Sequence, residues 1–196
     1  TSSDLLAENV GYDSTTVKDT LDSLLYEAIN ITSFTSNVEP VQEIGTNINS
    51  ITLTWKLSQP ATEQFINDVP VTGSSFTFDT PFNSNKSFTL KVNDGTTIKS
   101  KTIDIKFMNN IYYGVSSSTT YNSSFIESLT KELRQATEMN FRVNAGKDEY
   151  ICFAYPSHYG EAVFSVGGFE GGFREVAKFY YTNESGYNEQ YTEILG

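Results

Sequence analysis

The residues Ile51-Thr-Leu-Thr-Trp-Lys-Leu57 alternate apolar and polar at every step, so Ile51, Leu53, Trp55 and Leu57 face one way while Thr52, Thr54 and Lys56 face the other. A segment built like this is a strand with one dry face and one wet one. The pattern returns in Ser75–Phe78, Phe88–Val92 and Ile98–Phe107, the last two joined through Asn93-Asp94-Gly95, a hairpin turn signal. Ser, Thr and Asn together make up about 31% of the chain, and these residues supply turns rather than helix interiors. Strands at roughly ten-residue spacing predict a sandwich over residues 37–108.

Charge and length narrow the function classes. With 196 residues the chain is long enough for one or two cored units. Thirteen Lys and Arg stand against 24 Asp and Glu, a net charge of -11. Phosphate backbones and anionic lipid surfaces are repelled by such a chain, so neither nucleic acid nor membrane insertion is expected. No apolar run approaches the roughly 20 residues that a membrane helix needs, and no basic-then-apolar opening resembles a signal peptide. Cys152 is the only cysteine and His158 the only histidine. No internal disulfide and none of the usual Cys/His zinc sites is possible, and no metal or cofactor is expected. The chain begins at Thr1 and stops just after a strand pattern, which suggests a piece of a longer polypeptide.

Three segments follow from the patterning: 1–36, 37–108 and 109–196. In the first, Thr16 is placed to accept a helix N-terminal N–H and Asp19 stands near the positive end of the helix. Val17, Leu24 and Ile31 recur every seven residues with Leu21 and Ala28 between them, so a narrow apolar seam is expected along one helix. Two heptad turns do not hold a helix alone in water, which makes this an oligomerisation segment supplied with partners by sister chains. Packing on the chain's own β domain is the competing expectation.

The third segment is the richest in aromatics. Ile111–Gly114 reads as a strand, and Ser124-Phe-Ile-Glu127 has the spacing of a capping box leading into a helix that reaches about Arg134, with Phe125, Leu129 and Leu133 on its buried stripe. Strands are expected at 139–144, 149–155, 162–166, 176–182 and 187–195. Between them lies Gly167-Gly-Phe-Glu-Gly-Gly-Phe173, where glycines permit backbone conformations that aim Phe169 and Phe173 unusually.

The residues that carry catalysis in other chains are thin here. There is no Gly-x-Ser-x-Gly elbow for a Ser–His–acid triad, and Pro156-Ser-His-Tyr159 reads as a turn. Cys152 sits in the apolar run Tyr150–Ala154, where a thiol behaves as a small hydrophobe. The chain is therefore expected to be no enzyme. Glu161, Glu170 and Glu175 flank the glycine stretch, and a glycosidase needs only two suitably separated acids, so a carbohydrate-active enzyme is the alternative. Tyr155, His158, Tyr159 and Phe169 cluster near turns and are the candidate ligand-binding residues, since ring faces and nearby polar groups are what grip sugars.

Two resemblances sharpen these expectations. Residues 37–108 resemble immunoglobulin-like or fibronectin type III modules, with Trp55 as the core tryptophan, although no cysteine pair brackets it and no tyrosine corner is in place. The opening Val10–Leu25 and the runs Ile111–Val115, Tyr150–Pro156, Phe164–Phe173 and Thr182–Tyr187 resemble segments of bacteriophage fibre and tail proteins, in particular a terminal module of gut-associated phages. That resemblance implies a virion-surface fibre or tail appendage, a homotrimer in contact with other virion proteins, whose distal module meets host-surface glycan. A bacterial surface adhesin is a further alternative. Modules of this kind run on past Glu193–Gly196, which implies that the last sheet edge is missing or supplied by a neighbour. The fold class expected is mainly β: a short N-terminal helix, an immunoglobulin-like sandwich, and a C-terminal β module carrying one helix.

Overall fold

The computed structural model describes residues 11–12, 15–118 and 120–196. Val10, Asp13 and Ser14 of the opening motif lie outside them. The chain is mainly β and sandwich-like, with 49% of the described residues in strands against 9% in helix, as its alternation demands. Strands β1 (Gly11–Tyr12) and β2 (Thr15–Thr16) precede helix α1 (Val17–Leu25). Next come β3 (Ile31–Ser36), β4 (Val41–Glu43), β5 (Ile51–Leu57), β6 (Glu63–Ile66), β7 (Val69–Pro70), β8 (Ser75–Phe78), β9 (Lys86–Asn93) and β10 (Ile98–Ser116). Helix α2 (Ser123–Glu127) leads to β11 (Thr130–Arg134), β12 (Tyr150–Pro156), β13 (Ser165–Val166), β14 (Phe169–Glu170), β15 (Arg174–Thr182) and β16 (Asn188–Leu195). The chain forms two compact units: one takes in α1 together with Leu53–Phe76 and Phe88–Thr102, the other Ser36–Thr52, Thr77–Ser87 and Ile103–Gly196.

In the first unit, the helix start is as the sequence dictates. Thr16 Oγ1 accepts from Asp19 N at 3.0 Å, and Asp19 Oδ2 accepts from Thr16 N at 3.1 Å, a reciprocal cap. These bonds hold the Asp19 carboxyl below its usual range. The helix end differs from expectation. It stops at Leu25, Tyr26 turns extended, Ala28 is exposed, and Ile31 lies buried on strand β3 instead of on the seam.

The cause is Asp94, in the β9–β10 turn. Its carboxylate accepts from Tyr26 Oη (2.8 Å), Ile29 N (3.0 Å), Gln59 Nε2 (3.0 Å), Thr96 N (2.9 Å) and Thr97 N (2.7 Å). The Thr97 backbone bond leads the effects that hold this carboxyl well below the carboxylate range. Leaving the helix at Tyr26 lets Ile29 be sealed completely from water.

Strand β5 alternates as predicted, with Ile51, Leu53 and Trp55 buried and Leu57 half-buried. Leu53, Trp55, Ile66, Phe88, Leu90 and Val92 form the dry centre of the first unit. Burying each large side chain contributes about 1.5–3 kcal/mol. The Trp55 indole N–H is not wasted, donating to Gln64 Oε1 at 2.6 Å.

The second unit is organised around β10, which runs on through Met108 and Asn109, where the sequence pattern divides its second and third segments. It pairs in parallel with β4 and antiparallel with β11 and β12. Strand β16 lies between β12 and β15. The last strand of the chain is therefore interior to its sheet. Its neighbour β15 is bulged between Glu175 and Ala177, the kind of irregularity that blunts a strand edge.

Both faces of this sheet are covered. One carries Tyr112, Ala154, Tyr181 and Tyr191 under Ile126 of α2; the other carries Ile111, Phe153, Tyr155 and Ile194 under Phe141, Phe164 and Tyr159. Buried Asn109 and Asn110 are matched by Glu189 (2.7 Å) and Glu43 (2.6 Å).

Two expectations for this unit are corrected. Helix α2 ends at Glu127 and is capped by Asn122, whose side chain accepts from Phe125 N, rather than by Ser124. Thr130–Arg134 pairs with Asn109–Tyr113 as a strand, so Leu133 is not on a helix at all. Residues 139–144 form no strand either. They act through side chains, Phe141 stacking on Phe153 at 5.6 Å between ring centres.

Candidate functional site

The end of β12, the 3-10 turn Ser157–Tyr159 and the start of β15 surround a cleft of about 440 Å3 in the second unit. Its floor is Thr192 and Ile194 of β16, and Phe164 and Phe173 form an aromatic wall, stacked at 4.5 Å. Thr192, buried, shares a hydrogen bond of 2.8 Å with the Ser157 hydroxyl. Lys178 crosses the rim to Glu175 at 3.1 Å, and Glu161 and Arg174 complete the charged lining. The cleft thus offers ring faces, hydroxyls and both signs of charge within one depression, a mixture suited to a polyhydroxylated ligand.

The residues singled out from sequence fall unevenly around it. Tyr155 lines the cleft, yet it is buried and its Oη accepts from Ala162 N at 3.3 Å, so it is a wall rather than a stacking platform. Tyr159 is half-buried and donates to Arg134 O at 2.6 Å. His158 is 56% exposed, is paired with Glu189 and lies edge-on to Tyr159. Burial of the Tyr159 phenol pushes its pKa up. Phe169 stands apart. In the β13–β14 hairpin, Gly167 and Gly168 adopt φ 58° and 86°, the two positive angles a tight hairpin turn needs, and the ring of Phe169 next to them is 80% exposed.

The acids separate as well. Glu161 and Glu175 line one cleft, while Glu170 sits exposed on β14. The Ser157 hydroxyl is bonded to Thr192 and not to His158. Cys152 is buried, and desolvation pushes its thiol up to about 11, away from nucleophilic chemistry. Among the described residues no cluster of His, Cys, Asp and Glu suits a metal ion, and no helix is long and apolar enough to cross a membrane.

At the other end of the chain, the candidate oligomerisation face is open. None of the residues of α1 is buried, and Leu21 and Leu24 are 47% and 76% exposed, with Val17 and Leu25 also exposed. Of the five residues read as a seam, Val17, Leu21 and Leu24 share the helix, Ala28 follows it, and Ile31 belongs to the core.

Sequence reasoning passed over Ser157, Thr192 and Lys178. Thr192 had one available signal: it precedes Ile194 by two residues on a strand pattern and so shares its face. The chain matches no protein-family model, no curated protein and no solved structure.

Proposed function

We propose that this chain is a non-enzymatic structural protein of a bacteriophage particle, a fibre or tail appendage at the virion surface. Helix α1 gathers three copies into a homotrimer that docks on other virion proteins, and the aromatic cleft and its Phe169 hairpin meet host-surface glycan. The observation that carries the reading is the unburied apolar face of α1: a capped helix with Leu21, Leu24 and Leu25 in water. A nine-residue helix gains little from propensity, so it is held by packing, and sister copies supply that packing. The acidic exterior keeps closely displayed copies apart elsewhere.

Sedimentation of the whole chain at micromolar concentration tests this. Three chains per particle are expected; a single chain overturns the assembly half of the reading. A glycan array tests the other half, with binding that falls in Phe169→Ala expected.

A second reading has one observation in its favour, the shared cleft of Glu161 and Glu175. A glycosidase would use them as acid and base. The ion pair between Glu175 and Lys178 favours a charged, structural Glu175 instead. Sugar release from polysaccharide that is abolished in Glu161→Gln would establish the enzyme; no release is expected.

A further inference from the structure

Among the described residues Glu193 is the only buried carboxylate, and it belongs to neither the cleft nor the assembly face. It lies in the middle of β16 with no exposed surface, and neither carboxyl oxygen has a hydrogen-bond partner among the described residues. Buried acids without partners are rare because the charged form loses its water and gains nothing.

Its place in the sheet is set by register. Glu193 pairs with Ala154 on one side and with Ala177 on the other, and the two methyl groups leave room for the longer side chain between them. Tyr191, two residues earlier, shares its face and packs with Ala154 beneath Ile126. The charge of Glu193 also reaches Tyr121, just ahead of α2. The carboxyl therefore sits under the cover made by Tyr121 and the segment 122–129.

That cover is slight. It holds a five-residue helix capped by Asn122, closed by the bonds from Ile126 N to Asn122 O, Ser128 N to Phe125 O and Leu129 N to Ile126 O. Ile126 is its single buried residue, and Leu129 rests against Gly114, where an added Cβ would lie 3.0 Å from the leucine methyl.

We propose that Glu193 and the 122–129 segment form a proton-operated latch: with the carboxyl protonated the segment lies closed on the sheet, and loss of the proton drives it open. Desolvation alone pushes this carboxyl up to about 7, so the switch falls near neutrality.

Five titratable groups around it do not compete in that range. Cys152 on β12, Tyr112 on β10, Tyr181 on β15, Tyr191 on β16 and Tyr121 are all held above their ordinary values, chiefly by burial, and stay neutral. Tyr150 on β12 adds a phenol, while Arg174 on β15 and Glu127 on α2 bring charges of opposite sign to the edge of the cover. The latch is independent of the phage reading.

Cys152 shares the face of Glu193, diagonally across the β12–β16 ladder, and is the chain's only thiol, which makes it a reporter of opening. The experiment labels Cys152 with N-ethylmaleimide between pH 5 and 8 in the wild type and in Glu193→Gln. The ratio of the two rates removes the pH dependence of the thiol itself, apart from the upward push of the Glu193 charge on Cys152, which slows the wild type and so works against the expected climb. Opening that releases one proton makes this ratio climb about tenfold per pH unit up to about pH 7 and then level off. A ratio that stays flat overturns the latch.

Hydrogen exchange of the Ile126 and Leu129 amides in the wild type gives a second reading should the variant not fold. After correction for intrinsic rates, the same climb is expected while the β12–β16 ladder stays protected. No climb, or equal loss of protection in the ladder, overturns it.

Discussion

Helices α1 and α2 are opposites. Helix α1 has a reciprocal cap, a legible apolar repeat and nine residues, and none of them is buried. Helix α2 is five residues long with a weaker sequence signature, yet its Ile126 is completely sealed against Tyr112, Ala154, Tyr181 and Tyr191. Capping fixes where a helix starts, whereas burial fixes whether the chain needs it. By that measure α2 belongs to the stability of its own unit, whereas α1 leaves its apolar face uncovered, the face proposed above to meet other copies.

The largest expected effect is at Ile126. Ile126→Ala removes a fully buried side chain and should cost about 2–5 kcal/mol of unfolding free energy, measured by urea denaturation at pH 5, where the segment is closed. A loss below about 1 kcal/mol would mean that α2 is no more committed than α1.

Glu193 beneath it comes next, and the sign follows from its raised pKa. The folded chain binds the proton more tightly than the unfolded one, so this group's penalty is absent below about pH 4 and grows as pH rises, until it is complete above about pH 7. Glu193→Gln is expected to stabilise the chain by roughly 3 kcal/mol at pH 8 and by little at pH 4. Equal effects at both pH values would show that the carboxyl is hydrated.

For α1 the effects shrink. Thr16→Ala removes the cap and should cost about 1 kcal/mol of helix stability, visible as a loss of far-UV helical signal without a shift in the unfolding of the β core. Leu24→Ser should change the stability of the single chain by less than about 0.5 kcal/mol, since the side chain is already in water. A large loss there would mean that α1 is packed on its own chain after all.

The same contrast explains what the sequence made legible. Period-two alternation found β5 and β9, because each buries one face, and the dry positions Ile51, Leu53, Trp55, Phe88, Leu90 and Val92 were plain. The start of α1 was readable since a cap is local. Its end was not, because the Asp94 carboxylate that draws off Tyr26 and Ile29 lies 68 and 65 residues away in sequence. Leu129 and Leu133 have helical spacing, but pairing of Thr130–Arg134 with β10 overrides it. Strand β16 is buried on both faces from Tyr191 to Leu195, so alternation carries no information there and Glu193 gave no warning. At the cleft, Tyr155 and the acids were found by their position near turns, whereas the bond between Ser157 and Thr192 depends on register across 35 residues.

The most direct test of the claim that α1 serves other copies is a cross-link at its most exposed leucine. In Leu24→Cys combined with Cys152→Ala, which leaves a single thiol, mild oxidation of the chain at micromolar concentration should give covalently linked pairs, and the same cysteine at Asp22 should link far less. Chains that remain single in both variants would contradict the account.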